Sequence, residues 1–510
     1  MPVQDQASTL AFLADPANYG EPASPVAIIE THISVVFLVG RRAYKLKRAV
    51  CLPYVDFSTA QRRLAACEKE LELNRRTAAA LYIAVHAIRR GADGRLAFAD
   101  QGELVDAVVE MARFDEETLF DRMAARGQLT PALATELARG IARFHAGADI
   151  DHRRRGAANI MSVLDINEQS LAATRIFAPD DVARLNAALR AALRRHEALL
   201  DARAQAGKVR RCHGDLHLGN ICLVNGAPTL FDCLEFNDAL ATIDVLYDLA
   251  FLVMDLWRCG RESIANLVLN RYLDERDEAD GLPLMPFFMS LRAAVRAHVV
   301  AARAETAGEG DRAASIREAR AFMGLALRLL EPAPARLVAI AGLSGTGKST
   351  LAAALACRIG PAPGARILAS DRIRKRIHGV SAETSLPQDA YAAQASEQVY
   401  AILAREARAI LATGHAVIAD AVFLRPEDRE RIEQSALDAG VPFAGLRLEA
   451  SPAELFTRVE ARRGDISDAN ADVLRLQLAR RQESDGWTRI QADDGIAAVV
   501  ARASAALRCD

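Results

Sequence analysis

The sequence predicts two successive folds. The first is an α+β part, a small strand-rich lobe followed by a larger helical lobe, and the second is an α/β part with a parallel sheet. Three observations carry this. Short β segments crowd residues 24–112 and helical periodicity dominates residues 116–330. The stretch Glu331-Pro332-Ala333-Pro334-Ala335 then breaks the last helix. From residue 336 onward strands alternate with helices, the pattern of a parallel sheet. A chain of 510 residues is too long for one core to be the default. The expected domains are 24–330, with lobes 24–112 and 113–330, and 336–510.

In the front part, VAIIETHISVVFLVG and RRAYKLKRAV read as adjacent strands around a turn at Val39-Gly40-Arg41-Arg42. A helix from Thr59 to Ala80 follows, with Asp56 and Ser58 as caps. The runs LYIAVHAI and ELVDAVVEMARF return the chain to the sheet, and one short β interruption at 221–232 divides the helical lobe. In the back part, LVAIAG, ARILASD, HAVIADA and FAGLRLEA are the strands.

Composition narrows the chemistry. With 51% hydrophobic residues, 25% charged residues and a net charge of -2, the chain reads as globular, with no electrostatic reason to expect nucleic acid or an anionic membrane as partner. The first twenty residues are acidic where a signal peptide is basic. No apolar run reads as a membrane span, so a cytoplasmic chain is expected. Cys51, Cys67, Cys212, Cys222, Cys233, Cys259, Cys357 and Cys509 follow no metal-ligand spacing, which predicts reduced, mostly buried thiols and no zinc site. Of 64 basic residues only Lys45, Lys47, Lys69, Lys208, Lys348 and Lys375 are lysines. Against an arginine background, a retained lysine hints at a site that wants a compact ammonium, as a nucleotide phosphate does.

The strongest motif is Gly342-Leu343-Ser344-Gly345-Thr346-Gly347-Lys348-Ser349, with Thr350 following, set between an apolar strand and a helix. Backbone N–H groups of such a loop wrap phosphate oxygens, the lysine reaches the β- and γ-phosphates, and the serine hydroxyl ligates Mg²⁺. Asp371 follows the second strand of this half, taken as the one beside the P-loop strand, and is placed to enter the crevice beyond the strand ends, or else to cap the next helix. Asp420 closes the strand HAVIAD and is suited to Mg²⁺ or its water shell, or to a turn. Arg458, Arg462 and Arg463 are candidates for a phosphate-clamping lid, or form solvated helix faces. This half resembles the small P-loop kinases of the gluconate kinase and zeta toxin neighbourhood through GLSGTGKST, SDRIRK and VIADAVFLRPEDR. The resemblance implies that Asp371 serves the acceptor hydroxyl.

In the front half, Cys212-His213-Gly214-Asp215-Leu216-His217-Leu218-Gly219-Asn220 precedes a short strand and then Phe231-Asp232. An Asp, an Asn five positions on, and a further Asp at a strand end match the kinase layout: Asp215 accepts the hydroxyl proton, while Asn220 and Asp232 hold Mg²⁺. His213 and His217 read as structural hydrogen-bonders. The motif resembles that of the aminoglycoside phosphotransferase family, which implies a protein-kinase-like bilobal fold over most of residues 24–300. Lys45 and Lys47 share one strand face; Lys45 is favoured as the phosphate ligand. Glu70 is the best ion-pair partner, with Glu68 and Glu72 open. Met111 falls near the adenine hinge on this resemblance. The chain departs from the kinase pattern at Glu30-Thr31-His32-Ile33-Ser34, where a glycine-rich loop is expected. Asp244 and Asp248 read as caps or loop anchors, and the acidic run at 273–281 as a solvated loop.

The whole order resembles bacterial bifunctional proteins joining an aminoglycoside phosphotransferase-like domain to an AAA-type P-loop domain. The expected activity is ATP- and Mg²⁺-dependent transfer of the γ-phosphate to hydroxyls of small molecules, at two sites. The alternative is a regulator in which one domain binds or hydrolyses ATP and switches the other.

Overall fold

The computed structural model describes residues 4–20, 25–31, 33–52, 55–153, 155–306, 308–461, 468–479 and 486–508. The chain forms two compact units, Met1–Cys259 with Phe288–Arg328, and Gly260–Phe287 with Leu329–Asp510. The second unit therefore takes in a segment that the sequence reading leaves in the front domain.

The first unit opens on a six-stranded antiparallel sheet, counted among the described residues. Its order is Ala27–Glu30, Ser34–Val39, Arg42–Lys47, Glu103–Ala112, Tyr82–Arg90, Leu96–Phe98. The hairpin Ser34–Val39 to Arg42–Lys47 turns at Gly40, whose φ of 52° suits a residue without Cβ. Helix Ala60–Ala78 lies on the sheet and buries Cys67 and Ala78 with Ala107 and Val109. Its cap is Thr59, which accepts from the Arg62 N–H; Asp56, expected as a cap, instead accepts from the Ser58 N–H and hydroxyl. A cap is the residue whose φ and ψ are extended just before the first turn, and that is Thr59.

The helical lobe follows, with helices such as Pro131–Gly147, Gly156–Ala173, Pro179–Gln205 and Val245–Arg258. The expected β interruption is the hairpin Ile221–Val224 with Ala227–Leu230. A second pairing, Val209–Arg211 with Thr242–Asp244, has three residues a side, too few to display a period. Among the described residues one apolar stretch, Ala279–Glu305, is long and hydrophobic enough to cross a membrane, which corrects the sequence reading. Of its most apolar window 72% is buried inside the fold, as in a core helix.

The second unit holds a parallel sheet of five described strands in the order Arg366–Ala369, Val417–Asp420, Leu337–Ala341, Phe443–Glu449, Thr488–Gln491. The central strand is buried along its whole length, because helices cover both faces of a parallel sheet. The strand before Asp371 is not beside the P-loop strand as expected. The strand ending in Asp420 lies between them, with Ile340 opposite Asp420 and Ala369 opposite Asp420 on its other side. Crossovers permit several strand orders, so adjacency in sequence does not decide adjacency in the sheet. The fifth strand, Thr488–Gln491, has three of its four residues exposed, which leaves no apolar run to mark it in the sequence.

Candidate active sites

In the first unit the strand Arg42–Lys47 aims both lysines at one carboxylate. Lys45 Nζ lies 2.9 Å from Glu70 Oε1 and 2.5 Å from Asp232 Oδ1. Lys47 Nζ lies 2.5 Å from Glu70 Oε2 and also pairs with Glu235. Glu70 is thus the partner of both lysines, whereas Glu72 meets Lys69 at 3.7 Å. The two lysines differ in access, Lys47 being 1% exposed and Lys45 13%. Burial opposes both charges, but Asp232 and Glu70 hold the Lys45 ammonium well above its ordinary range, and Glu235 and Glu70 do the same for Lys47. Burial also works against the Glu70 carboxylate, yet the two ammoniums pull it down.

The loop with Asp215 is held from behind. Asp248 accepts from the backbone N–H groups of His213 and Gly214 at 3.1 and 2.8 Å, and from the His145 ring at 3.1 Å. Asp255 accepts from Leu218 N–H, and Arg292 Nη1 donates to the Gly214 carbonyl. The loop-anchor reading of Asp248 matches this geometry; Asp244 caps the helix Val245–Arg258 and pairs with Arg203. The fold also gathers His145, Cys212 and Asp248 within 4.8 Å, a grouping that spacing conceals. Hydrogen bonds occupy it: Cys212 donates to the Ile243 carbonyl, and Asp248 is used as above.

Inside the loop, Asn220 Nδ2 donates to the Asp215 carbonyl and to Asp215 Oδ2, at 2.9 and 3.0 Å. His217 Nδ1 accepts from Gly219 N–H, and His213 Nε2 meets the Phe231 carbonyl at 2.9 Å, so both histidines do backbone work. Burial opposes the charged form of Asp215, but His217, Arg296 and His213 hold it well below the usual carboxylate range. Asp232 sits at φ 62°, with its N–H on the Tyr82 hydroxyl, and Cys233 N–H bonds Asn74 Oδ1. Tyr82, Asn74 and Glu235 escaped the sequence reading; only Glu235, three residues past Asp232, carried a local signal. Met111 is buried with Leu38, Ala43 and, alongside, Phe231, just before the chain leaves the sheet. In place of a glycine-rich loop, Thr31 closes the turn, its hydroxyl accepting from Ser34 N–H.

In the second unit the P-loop joins the strand Leu337–Ala341 to the helix Lys348–Ala356. Gly345 has φ 92°, and a Cβ there would meet the Leu455 carbonyl at 2.9 Å; Gly347, at φ 87°, caps the helix. Thr346 Oγ1 and Lys348 Nζ bond the Leu343 carbonyl, and Ser344 N–H bonds Gln477 Oε1. Ser349 Oγ donates to Asp420 Oδ2 at 2.6 Å. Thr350 is exposed in the helix's first turn. Asp371 lies inside the first turn of helix Ser370–Ile377, whose cap is Ala369, so Asp371 is not the cap. One turn on, Lys375 pairs with Asp468, which also accepts from the Tyr391 hydroxyl at 2.6 Å. Arg458 donates to Glu454 and to the Ala492 carbonyl. Arg462 and Arg463 lie outside the described residues.

One unit thus carries the loop of Asp215 and Asn220 with a lysine–glutamate pair, and the other a P-loop with its paired serine and aspartate. Residues 35–282 match the phosphotransferase enzyme family and residues 337–484 the AAA domain family. The chain is 30% identical over 474 residues to Uncharacterized protein Rv2004c of Mycobacterium tuberculosis and to Uncharacterized protein Mb2027c of Mycobacterium bovis. The alignment covers 91% of this chain and 92% of each of theirs, and the chain belongs to their family. Among solved structures it is similar to a choline/ethanolamine kinase family protein from Mesorhizobium loti, at 15% identity and TM-score 0.38 over 63% of this chain and 97% of that one. It is also similar to a gluconokinase from Sinorhizobium meliloti 1021, at 24% identity and TM-score 0.26 over 34% and 92%. The domains are of ATP-using kinase and phosphotransferase type.

Proposed function

We propose that the chain holds two chemically separate phosphotransfer sites, each moving the γ-phosphate of ATP to a hydroxyl of a small molecule. What supports this reading is that the first unit sets Lys45 against Glu70 and Asp232 and bonds Asn220 to Asp215, while the second bonds Ser349 to Asp420 beside Lys348. In the first unit Lys45, oriented by Glu70, takes the nucleotide phosphates, and Met111 lies at the adenine end. Asp215 receives the acceptor hydroxyl. Because it stays ionised at neutral pH it acts by orienting the hydroxyl and taking its proton late, which suits a loose transition state.

The donors fit Mg²⁺. Asn220 and Asp232 offer hard oxygens. The cluster sets Glu70, Asp232 and Glu235 against Lys45 and Lys47; burial pushes the Glu235 carboxyl up, so Asp232, the most exposed carboxylate at 37%, is the one a cation meets. In the second unit Ser349 and Asp420, already bonded, are the metal-side pair. Magnesium, when bound, neutralises charge on the β- and γ-phosphates. Lys348 and the loop N–H groups bind those phosphates, and Asp371 serves the acceptor.

Nucleotide titration of the whole chain is expected to approach two per chain, and one with both units folded overturns the proposal. γ-Labelled ATP with a fractionated cell extract is expected to yield one product lost in Asp215→Ala and another lost in Lys348→Ala. ATP binding without any transferred label fits the regulator instead. Asp371→Asn is expected to keep Mg·ATP affinity while losing transfer, and Asp420→Asn to weaken Mg·ATP binding itself. The reverse pattern in calorimetry exchanges the two roles.

A further inference from the structure

The strand Arg366–Ala369 is the edge of the parallel sheet. Its Arg366 N–H bonds the Ala416 carbonyl just before the neighbouring strand Val417–Asp420, so the Ala365 carbonyl and the Ile367 N–H point outward, where no described strand follows. Unpaired edge groups of this kind need a partner. Helix Glu262–Glu275 supplies it. Asn270 Nδ2 donates to the Ala365 carbonyl at 3.2 Å and Asn270 Oδ1 accepts from Ile367 N–H at 2.8 Å. One carboxamide thus makes the two bonds that a neighbouring peptide group makes in a sheet. Asn266 adds bonds to the carbonyls of Pro363 and Ala365, and both asparagines are 1% exposed.

One turn further, Asp274 meets Arg366 at 2.8 Å and Arg372 at 3.0 Å. Arg372 adjoins Asp371, the group proposed to serve the acceptor. In the acidic run expected to be a solvated loop, Asp274 is therefore only 14% exposed and bound to arginines of the P-loop unit, and Glu278 is fully buried.

We propose that the helix Glu262–Glu275, which lies within the segment matching the phosphotransferase enzyme family, is a working part of the P-loop kinase. Asn270 closes the sheet edge, and Asp274 is a positioning residue that fixes the helix carrying Asp371. The functional half of this inference rests on the reading of Asp371 given above. A misplaced acceptor group costs about 10- to 100-fold in transfer, with nucleotide binding untouched.

The test uses the full chain with Asp274→Asn, Asp274→Glu and Asn270→Leu, read by hydrogen exchange and by labelled transfer. Asn270→Leu is expected to speed exchange at Ile367, and Asp274→Asn to speed exchange across 370–377, while the loop 213–220 keeps its wild-type protection. Asp274→Asn is also expected to lower the Lys348-dependent product about 10- to 100-fold at unchanged Mg·ATP affinity, with partial recovery in Asp274→Glu. Unchanged exchange at 365–377 in both variants overturns the inference, as does equal loss of Mg·ATP affinity and transfer in Asp274→Asn. Absence of any Lys348-dependent product in the wild type sinks the functional proposal, and the exchange pattern then still decides whether the helix belongs to this unit.

Discussion

The two candidate sites are built in opposite ways. The P-loop site is local: nine consecutive residues run from a strand end to a helix start, and one distant carboxylate, Asp420, joins them through Ser349. The kinase-like site is assembled from afar, with Lys45 and Lys47 from one hairpin, Glu70 from a helix, and Asp232 and Glu235 from a loop more than 150 residues later. A backbone cradle stands as soon as its strand and helix pack. A largely buried charge cluster stands only as a whole, because its desolvated members depend on their partners.

The largest effect that separates the two is catalytic. Asp215→Asn preserves size and the bond from Asn220, so transfer at the first site is expected to fall about 10²- to 10⁴-fold with ATP affinity little changed. The Lys348-dependent product should stay at its wild-type rate. Loss of both products in this variant would join the sites that the comparison holds apart.

Next in size is stability. Glu70→Ala leaves two buried ammoniums with a single carboxylate each and is expected to destabilise the first unit by about 3–5 kcal/mol. Denaturant unfolding followed by exchange in each unit should show the loss in the first alone. A loss below about 1 kcal/mol would mean that the cluster is not interdependent.

The smallest effect is a pair of opposite pH dependences. Burial holds the His415 imidazole down to about 4, near the Gly364 carbonyl. A folded value below the unfolded one gives stability that is complete above about 6.5 and declines as pH falls toward 4, by about 3 kcal/mol at most. His213 runs the other way. Burial opposes its charge, but Cys233, Asp248 and Asp215 raise it to about 9, so its contribution is complete below about 6.5 and is lost as pH rises through 9. Acid should therefore loosen the P-loop unit first and alkali the kinase-like unit. His415→Gln should flatten the acid limb only, and an unchanged limb would remove His415 from the account.

The residues explain why one construction is easier to read than the other. Each chemical group of the P-loop is a neighbour in sequence of the next, and φ values such as those of Gly345 and Gly347 are what the residue type permits. The loop Asp215 to Asn220 is equally compact, with Asn220 bonded back to Asp215 five positions earlier. Sequence therefore determined both loops, the hairpin around Gly40, the helix carrying Glu70 and the two successive folds. Tertiary structure alone decided the rest: that Glu70 serves both lysines, that Glu235 joins them, that Asp248 carries the loop from behind, that Asp420 lies between Asp371 and the P-loop strand, and that residues 260–287 pack with the second unit. Periodicity reports which face of an element is buried, not which distant element buries it. Strand order, long-range ion pairs and the partner of a sheet edge are set by that second quantity, and they exist only once the chain has closed its loops.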